Sequence, residues 1–198
     1  MNRNRVLAAV AVLLLCALAP IAAQACDTAL LIVDIQTFYL SNNMLAQIDG
    51  LAILPRVAAS VDAAREAGIP IIYAKNLDPR LEDDDPALDF PEMITPLTDD
   101  TIIEKRNPDP FKDTELKDHL VVEGISRILL CGIWSTCCID GSILSAKREG
   151  IEVIVIADAH ADAVTRIADI NELNETWDAM DGVSTARLKD IDFAALCP

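Results

Sequence analysis

Three residues have the types that covalent hydrolysis of a carbonyl compound requires, namely an acid, an amine and a thiol. Asp34, Lys105 and Cys138 lie far apart in the sequence, and each ends or follows a short apolar segment. A cysteine attacks a carbonyl carbon as the thiolate, which a nearby ammonium and a helix N-terminus both favour. A carboxylate beside the thiol can take its proton and return it to a leaving amine. These residue types predict nucleophilic cysteine catalysis.

The segments that carry these residues alternate between strand-like and helix-like patterns. The apolar, strand-like segments are residues 29–33, 69–74, 101–105, 127–132, 151–157 and a short last one at 183–188. The amphipathic, helix-like segments are residues 51–67, 111–120, 138–149 and 171–180. This alternation predicts an α/β fold: a doubly wound, mostly parallel sheet of five to six strands with helices on both faces.

The predicted fold brings the three reactive residues to one place. Open parallel sheets bind ligands beyond the carboxyl ends of their strands, near the point where the winding reverses. Asp34 ends the first strand, Lys105 ends the third, and Cys138 opens the helix after the fourth. Singly, such an Asp is often a cap and such a Cys is often inert core. Their convergence at one sheet edge favours an active site.

Several motifs of the chain resemble those of the isochorismatase-like hydrolases. Residues 33–36 (VDIQ) are similar to the motif that opens those chains, and residues 103–106 (IEKR) to their lysine segment. Residues 132–139 (GIWSTCCI) resemble their nucleophile turn, and Asp158-Ala159 also fits. The similarity spans nearly all of the chain after residue 25, in the family's order. It implies the family's fold and a catalytic triad of Asp34, Lys105 and Cys138.

The resemblance also implies an oxyanion hole and a class of reaction. Many members have a cis peptide bond four residues before the cysteine, here Ile133–Trp134, which would aim the Trp134 N–H toward the substrate beside the Cys138 N–H. Members hydrolyse amide, ureido or carbamoyl groups through a thioester. Isochorismatase proper cleaves a vinyl ether and lacks the cysteine nucleophile, so Cys138 favours C–N bond hydrolysis. Trp134 is bulkier than the family's usual residue, and Ser135 replaces its commoner Thr.

We predict that the chain uses neither a metal nor an organic cofactor. Nicotinamidases of the family carry an Asp–His–His metal site, but this chain has only two histidines, and residues 76–80 (NLDPR) contain none. We expect His119 to face solvent on a helix and His160 to lie in an ordinary loop past the fifth strand, with a role near the pocket as the less favoured alternative for His160. Residues 76–100, rich in proline and acid, are expected to form a solvated loop, with a lid over the site as the alternative.

The N-terminal segment has the layout of a secretory signal peptide. Arg3 and Arg5 precede an apolar run of 14 residues, 6–19, and residues 23–25 (AQA) resemble a cleavage site. The run is short for a membrane span. We therefore predict a signal peptide at residues 1–25, export to the periplasm or the extracellular space, and a hydrolase domain at residues 26–198. A lipoprotein anchored through Cys26 is the alternative.

Five cysteines follow residue 25, and an odd number leaves at least one thiol outside internal disulfides. Cys26 and Cys197 lie near the two ends of the predicted domain. Domain termini often lie close together, so we expect a disulfide between them, although two unpaired thiols remain open. A thiol redox protein using Cys137 with Cys138, or Cys131 with Cys137, is one alternative to the hydrolase. A non-catalytic binding protein of the same fold is another.

The charge of the chain limits its partners. Without residues 1–25 it has 14 basic and 32 acidic residues, a net charge of about −18 at pH 7. Nucleic acids and anionic lipids would be repelled. We therefore expect a small-molecule substrate, no nucleic acid, and no membrane unless Cys26 is lipidated. Many members of the similar family are oligomers, and the sequence leaves the oligomeric state open.

Overall fold

The structure is a computed structural model that describes residues 26–41, 50–162 and 170–197. Within these residues six strands pair in parallel, in the order β3-β2-β1-β4-β5-β6. The strands are β1 Thr28–Val33, β2 Ile71–Asn76, β3 Thr101–Lys105, β4 Arg127–Ile133, β5 Glu152–Ala161 and β6 Val183–Ala186. The helices are α1 Thr37–Ser41, α2 Gly50–Glu66, α3 Leu116–Val122, α4 Asp140–Arg148, α5 Ile170–Asp178 and α6 Phe193–Leu196. The predicted fold class is confirmed.

Helices cover both faces of the sheet, which explains why its central strands are apolar throughout. All six residues of β1 are buried. On one face, α2 packs through Ile53, Val57 and Val61 together with α1 and α6. On the other face, the buried side chains of the helices α3, α4 and α5 include Leu116, Leu120, Ile143, Ala146 and Trp177. A strand buried on both sides reads as a continuous apolar run, as in residues 29–33.

Two predicted helices begin later than expected. The helix expected at residues 111–120 begins at Leu116, because the preceding residues form turns. Asp109 accepts a hydrogen bond from the Phe111 N–H, and Asp113 has a positive φ of 57°. The helix expected from Cys138 begins at Asp140, and Cys138 lies in a π-helical turn, Ser135–Ile139, that joins β4 to α4.

The strand β5 is longer than the prediction and contains His160. Its apolar run ends at Ala157, but pairing with β4 continues through Gly132↔His160 and Ile133↔Ala161 after a register shift. The prediction of an ordinary loop position for His160 is therefore wrong. Such an extension depends on a partner strand far away in sequence, so the local pattern does not reveal it.

The segment between β2 and β3 is anchored to the core rather than wholly solvated. It contains two short 3₁₀ turns, Pro86–Leu88 and Glu92–Ile94, whose last residues are fully buried. The Phe90 ring packs on Tyr73, with ring centroids 4.9 Å apart. The acidic residues 82–84 are exposed, as expected. The lid alternative for this segment stays a prediction.

A disulfide joins Cys26 to Cys197, with their Cα atoms 4.9 Å apart. It lies at the amino end of β1, where the Thr28 hydroxyl donates a hydrogen bond to the Leu196 carbonyl at 3.1 Å. A sulfur in this bond cannot also carry a lipid. The predicted signal peptide lies outside the described residues, and among the described helices none is long and apolar enough to cross a membrane.

Candidate active site

The carboxyl edge of the sheet is built around the point where the winding reverses, between β1 and β4. Val33 pairs with Ala74 of β2 on one side and with Gly132 of β4 on the other. Further out, Lys105 at the end of β3 pairs with Asn76. The first residues beyond these strand ends therefore face one shared space.

Asp34 turns the chain sharply at the end of β1. Its φ of 58° is in the left-handed region, which Asp tolerates better than most residues. Its N–H continues the sheet ladder by donating to the Ala74 carbonyl at 3.1 Å, and its carbonyl accepts from the Gln36 N–H at 2.9 Å. The carboxylate is thereby held over the edge of the sheet, with 2% of the residue exposed.

Gly132 lets β4 approach β1 closely beside the site. Its φ is 128°, and a Cβ placed on it would lie 2.1 Å from the Val33 carbonyl oxygen. Only glycine fits such a contact. This close approach places the turn that carries Cys138 next to Asp34.

The structure brings the three predicted site residues together. The Lys105 Nζ lies 2.9 Å from Asp34 Oδ2 and 3.8 Å from Cys138 Sγ, and it also donates to the Asn107 carbonyl at 3.1 Å. All three side chains are buried. Among the described residues, no nitrogen or hydroxyl group donates to Asp34 Oδ1, and the Cys138 thiol interacts with the same carboxylate.

Burial governs the protonation of this group. It raises the pKa of Asp34 above the ordinary 3.8, and the charge of Lys105 and the Cys138 hydrogen bond only partly offset it. Burial and the Asp34 charge also raise the pKa of the Cys138 thiol above 9.0, against the opposing effect of Lys105. The raised pKa of Cys138 favours a thiol in the resting site, whereas Lys105 and the helix end had indicated a thiolate.

The turn that carries Cys138 has the cis peptide bond Ile133–Trp134 that the resemblance implied. The Trp134 carbonyl accepts from the N–H groups of Cys137 and Ile139, at 3.1 and 3.0 Å. The Ser142 hydroxyl donates to the Cys138 carbonyl at 2.6 Å. These bonds hold the backbone of the turn, and the Trp134 and Cys138 N–H groups belong to it. Their role as oxyanion donors stays a prediction.

A buried histidine fixes the same turn from β5. The Asn174 Nδ2 donates to the Ala157 carbonyl at 3.0 Å, which leaves its Oδ1 facing His160 Nε2 at 3.0 Å. Burial lowers the pKa of His160, so the ring is neutral. Its Nε2–H then donates to Asn174, and its Nδ1 accepts from the Ser135 hydroxyl at 2.8 Å. His160 thus contacts the nucleophile turn, which agrees with the alternative of a role near the pocket, although the sequence did not indicate its partners.

Comparison with known protein families agrees with this geometry. Residues 28–174 match the model of the isochorismatase domain. The chain belongs to the isochorismatase family. It is 29% identical over 147 residues to an isochorismatase family protein of Bacillus subtilis, covering 72% of this chain and 82% of that one. It is also 29% identical over 142 residues to a streptothricin hydrolase of Streptomyces noursei, covering 67% of this chain and 54% of that one.

Solved structures of this family share the fold. An isochorismatase from Pseudomonas putida superposes with a TM-score of 0.73 at 25% identity, covering 86% of this chain and 92% of that one. The N-carbamoylsarcosine amidase of Thermoplasma acidophilum superposes with a TM-score of 0.72 at 20% identity, covering 84% and 99%. With these relatives, the present chain is a hydrolase of the isochorismatase family.

Gln36 is a site residue of this isochorismatase-family chain whose role the sequence did not reveal. Its side chain is fully buried. Its Oε1 accepts from the Asn76 N–H at 2.8 Å, and its Nε2 donates to the carbonyls of Asn76 and Leu88, at 3.1 and 2.8 Å. Gln36 therefore fastens the turn after β1 to the segment after β2. Its position in the VDIQ motif was the available signal.

The segment after β2 holds an ion pair between Asp78 and Arg80. Asp78 is buried, and its carboxylate accepts from Arg80 Nε and Nη2, both at 2.7 Å. These hydrogen bonds lower the pKa of Asp78 to about 2. Within the described residues, no three His, Cys, Asp or Glu side chains converge as a metal site would require. Asp78, the one carboxylate in residues 76–80, is instead paired with the guanidinium of Arg80.

Cys131, Cys137 and His119 differ in burial, and their surroundings do not suggest a redox pair or a second site. Cys131 is buried in β4, and burial raises its pKa to about 12. Cys137 is half-buried, and in the described part of the chain neither it, Cys131 nor Cys138 is in a disulfide. His119 is half-buried on α3 rather than fully exposed to solvent. None of these observations favours a redox pair.

Proposed function

We propose that the chain hydrolyses a C–N bond of a small amide, ureido or carbamoyl compound through a thioester on Cys138. The observation that supports this proposal is the burial of a thiol, a carboxylate and an ammonium within one hydrogen-bonded group, with Lys105 Nζ 2.9 Å from Asp34 and 3.8 Å from Cys138 Sγ. A solitary buried thiol would be inert, but this one has a base and a cation beside it.

In the first step the Cys138 sulfur attacks the carbonyl carbon while its proton passes to Asp34. A proton transfer in the transition state suits two groups whose pKa values are both raised, because no thiolate has to exist beforehand. The Lys105 ammonium stabilises the negative charge that develops on sulfur. The carbonyl electrons move onto oxygen, where the N–H groups of Trp134 and Cys138 would stabilise the oxyanion.

In the second step the tetrahedral intermediate collapses and the C–N bond breaks. The leaving nitrogen takes the proton that Asp34 accepted, so the amine departs neutral and a thioester remains on Cys138. A water molecule then gives a proton to Asp34 and attacks the thioester carbon. The C–S bond breaks, and the proton returns from Asp34 to sulfur. The cycle restores the thiol and the carboxylate.

A screen of small amides and ureas for ammonia release tests this proposal. We expect turnover of at least one compound by the wild-type chain, and a loss of about a thousandfold or more in Cys138→Ala and Asp34→Asn. Asn retains the left-handed backbone that Asp34 adopts, so this variant isolates the carboxylate. Cys137→Ser is the matched control and should keep its activity. Full turnover without the Cys138 thiol would overturn the mechanism.

We also propose that the chain is exported. The basic and apolar N-terminal segment and the cysteine pair Cys26–Cys197 support this, because structural disulfides persist in oxidising compartments. Expression of the full chain with fractionation of the cell tests the proposal. The expected species is extracytoplasmic and begins at or near Cys26, as read by intact mass. An uncleaved cytoplasmic protein would contradict it.

A further inference from the structure

We propose that Arg80, with the rings of Phe38 and Trp134, forms a subsite that binds a carboxylate of the substrate. The hydrolysed compound would then be an amide or ureide that also carries an anionic group. This inference rests on the proposed function and names the class of substrate for the same site. It is carried by the way in which one exposed guanidinium is fixed, and by the ring contacts that lead from it to the residue before the nucleophile turn.

Arg80 is held on one edge and open on another. Asp78 engages the guanidinium side-on, through Nε and Nη2, and also accepts from the Arg80 backbone N–H at 3.0 Å. A guanidinium has five N–H donors in a rigid fork. Side-on pairing leaves the end-on edge, formed by Nη1 and the outer N–H of Nη2, directed away from Asp78. The side chain is 60% exposed, so this edge is accessible.

The support beneath Arg80 is itself fixed. The Asp78 side chain is only 7% exposed, and its Oδ2 also accepts from the Tyr39 hydroxyl at 3.3 Å. The Arg80 guanidinium carbon lies 5.0 Å from the centroid of the Phe38 ring, a cation–π contact. An arginine whose side chain is already ordered loses less conformational entropy when it binds an anion. The pairing with Asp78 uses only the side-on edge of the guanidinium, so its end-on edge is left for another anion.

A series of contacts between aromatic rings leads from Arg80 to the nucleophile turn. Phe38 and Tyr39 contact edge to face, with ring centroids 5.3 Å apart, and Tyr39 and Trp134 do so at 6.3 Å. Phe38 and Trp134 are half-buried, so each leaves part of its ring uncovered. Trp134 directly precedes the π-helical turn that holds Cys138. A substrate that spans these ring contacts would have one end near the turn that holds Cys138 and the other at Arg80.

The overall charge of the chain disfavours the approach of anionic substrates unless a local cation offsets it. The chain carries a formal charge of −16, which repels anions at a distance. A bidentate, charge-assisted pair with a guanidinium offsets that repulsion locally and is stronger than a neutral hydrogen bond. Lysine would not replace it, because a single ammonium cannot bind Asp78 and a second carboxylate in the same planar geometry.

Binding of benzoate and of its neutral analogue benzyl alcohol tests the subsite without any catalysis. Ligand-observed NMR titrations would use the wild-type chain, Arg80→Gln, Arg80→Lys and the control Arg127→Gln, which removes the same charge at the opposite sheet edge. We expect benzoate to bind the wild type and the control, and about tenfold more weakly to both Arg80 variants. Equal benzoate affinity in wild type and Arg80→Gln would overturn the subsite, as would an absence of benzoate binding in the wild type.

Alkylation of Cys138 then tests whether the subsite is in line with the nucleophile. The probes are 3-maleimidopropionate and N-propylmaleimide, with labelling read at Cys138 by peptide mass spectrometry. The ratio of acid to neutral rates should fall about tenfold in Arg80→Gln and stay unchanged in Arg127→Gln. An unchanged ratio in Arg80→Gln would overturn the substrate role. Failure of both probes to label Cys138 would count against the proposed function, while the benzoate titrations still decide the subsite.

Discussion

At the scale of single residues, the chemistry of the site follows from burying three groups that are individually ordinary. Asp34 and Cys138 are each made more basic by loss of solvent, and the charge of Lys105 only partly offsets this rise in their pKa values. The residue types were evident in the sequence, as was the convergence of strand ends. The sequence did not reveal that the pKa of the Cys138 thiol is raised, because this shift depends on how completely the folded chain excludes water.

The pH profile of turnover should show the raised pKa of Asp34. In the proposed mechanism the ionised carboxylate is the base, so activity should fall as the pH drops through the pKa of Asp34 in the free enzyme. Because burial raises that pKa above 3.8, the acidic limb of kcat/KM should lie above the ordinary carboxyl range. A profile whose acidic limb lies at or below pH 3.8, on a chain that remains folded, would contradict the assignment.

Removing Lys105 should damage both activity and stability. Lys105→Met leaves the buried Asp34 carboxylate without its cation, and the free energy of unfolding should fall by about 3–5 kcal/mol. Chemical denaturation at neutral pH measures the loss. Lys117→Met is the control, because Lys117 pairs with Glu149 at the solvent-screened surface and its loss should cost much less than the loss of Lys105. Equal losses in the free energy of unfolding would contradict the prediction that the buried pair contributes more to stability than the surface pair.

At the scale of elements, the strands were predictable where their pattern is local and missed where it depends on a partner. The apolar run of β1 is buried on both faces and was predicted within one residue. The extension of β5 that contains His160 requires pairing with Gly132 and Ile133, and the π-helical turn requires contacts from distant segments. Ser135 and Asn174 meet His160 only after folding, so their network left no signal in the sequence.

Gly132 should be intolerant of any side chain. In Gly132→Ala the new Cβ would lie 2.1 Å from the Val33 carbonyl oxygen, so the β1–β4 pairing beside Asp34 must shift. We expect a loss of more than about 2 kcal/mol in the free energy of unfolding, with reduced turnover. Gly150→Ala has a positive φ but open space around it and should cost about 1 kcal/mol. A loss at Gly132 no larger than at Gly150 would contradict the close approach.

At the scale of the whole molecule, the site and the disulfide lie at opposite edges of one sheet. The Cys26–Cys197 pair is at the amino end of β1, whereas Asp34 follows its carboxyl end. The fold class was accessible from the alternation of strand-like and helix-like segments, and the charge from composition. The positions of Cys26 and Cys197 favoured their pairing but left two free thiols open. The surface around the site was not, because Phe38, Arg80 and Trp134 come from three segments that only the fold assembles.

Stability and activity should therefore separate when the disulfide is removed. Cys197→Ser opens a loop of 171 residues, and the free energy of unfolding should fall by about 2–5 kcal/mol. Turnover at low temperature should be nearly unchanged, because no site residue lies at that edge. Denaturant melts with and without reductant measure the effect, and reductant should destabilise the wild type but not the variant. A large loss of turnover in the folded variant would contradict this separation.

Detection of the acyl-enzyme is the most direct test of Cys138 as the nucleophile. Once the screen yields a substrate, turnover quenched in acid should give a chain heavier by the acyl group, and peptide mass spectrometry should place that mass on Cys138. Hydroxylamine should remove it, as expected for a thioester, and Asp34→Asn should not accumulate it. An adduct on Cys137 or Cys131, or unimpaired turnover in Cys138→Ala, would contradict the central claim that Cys138 is the nucleophile.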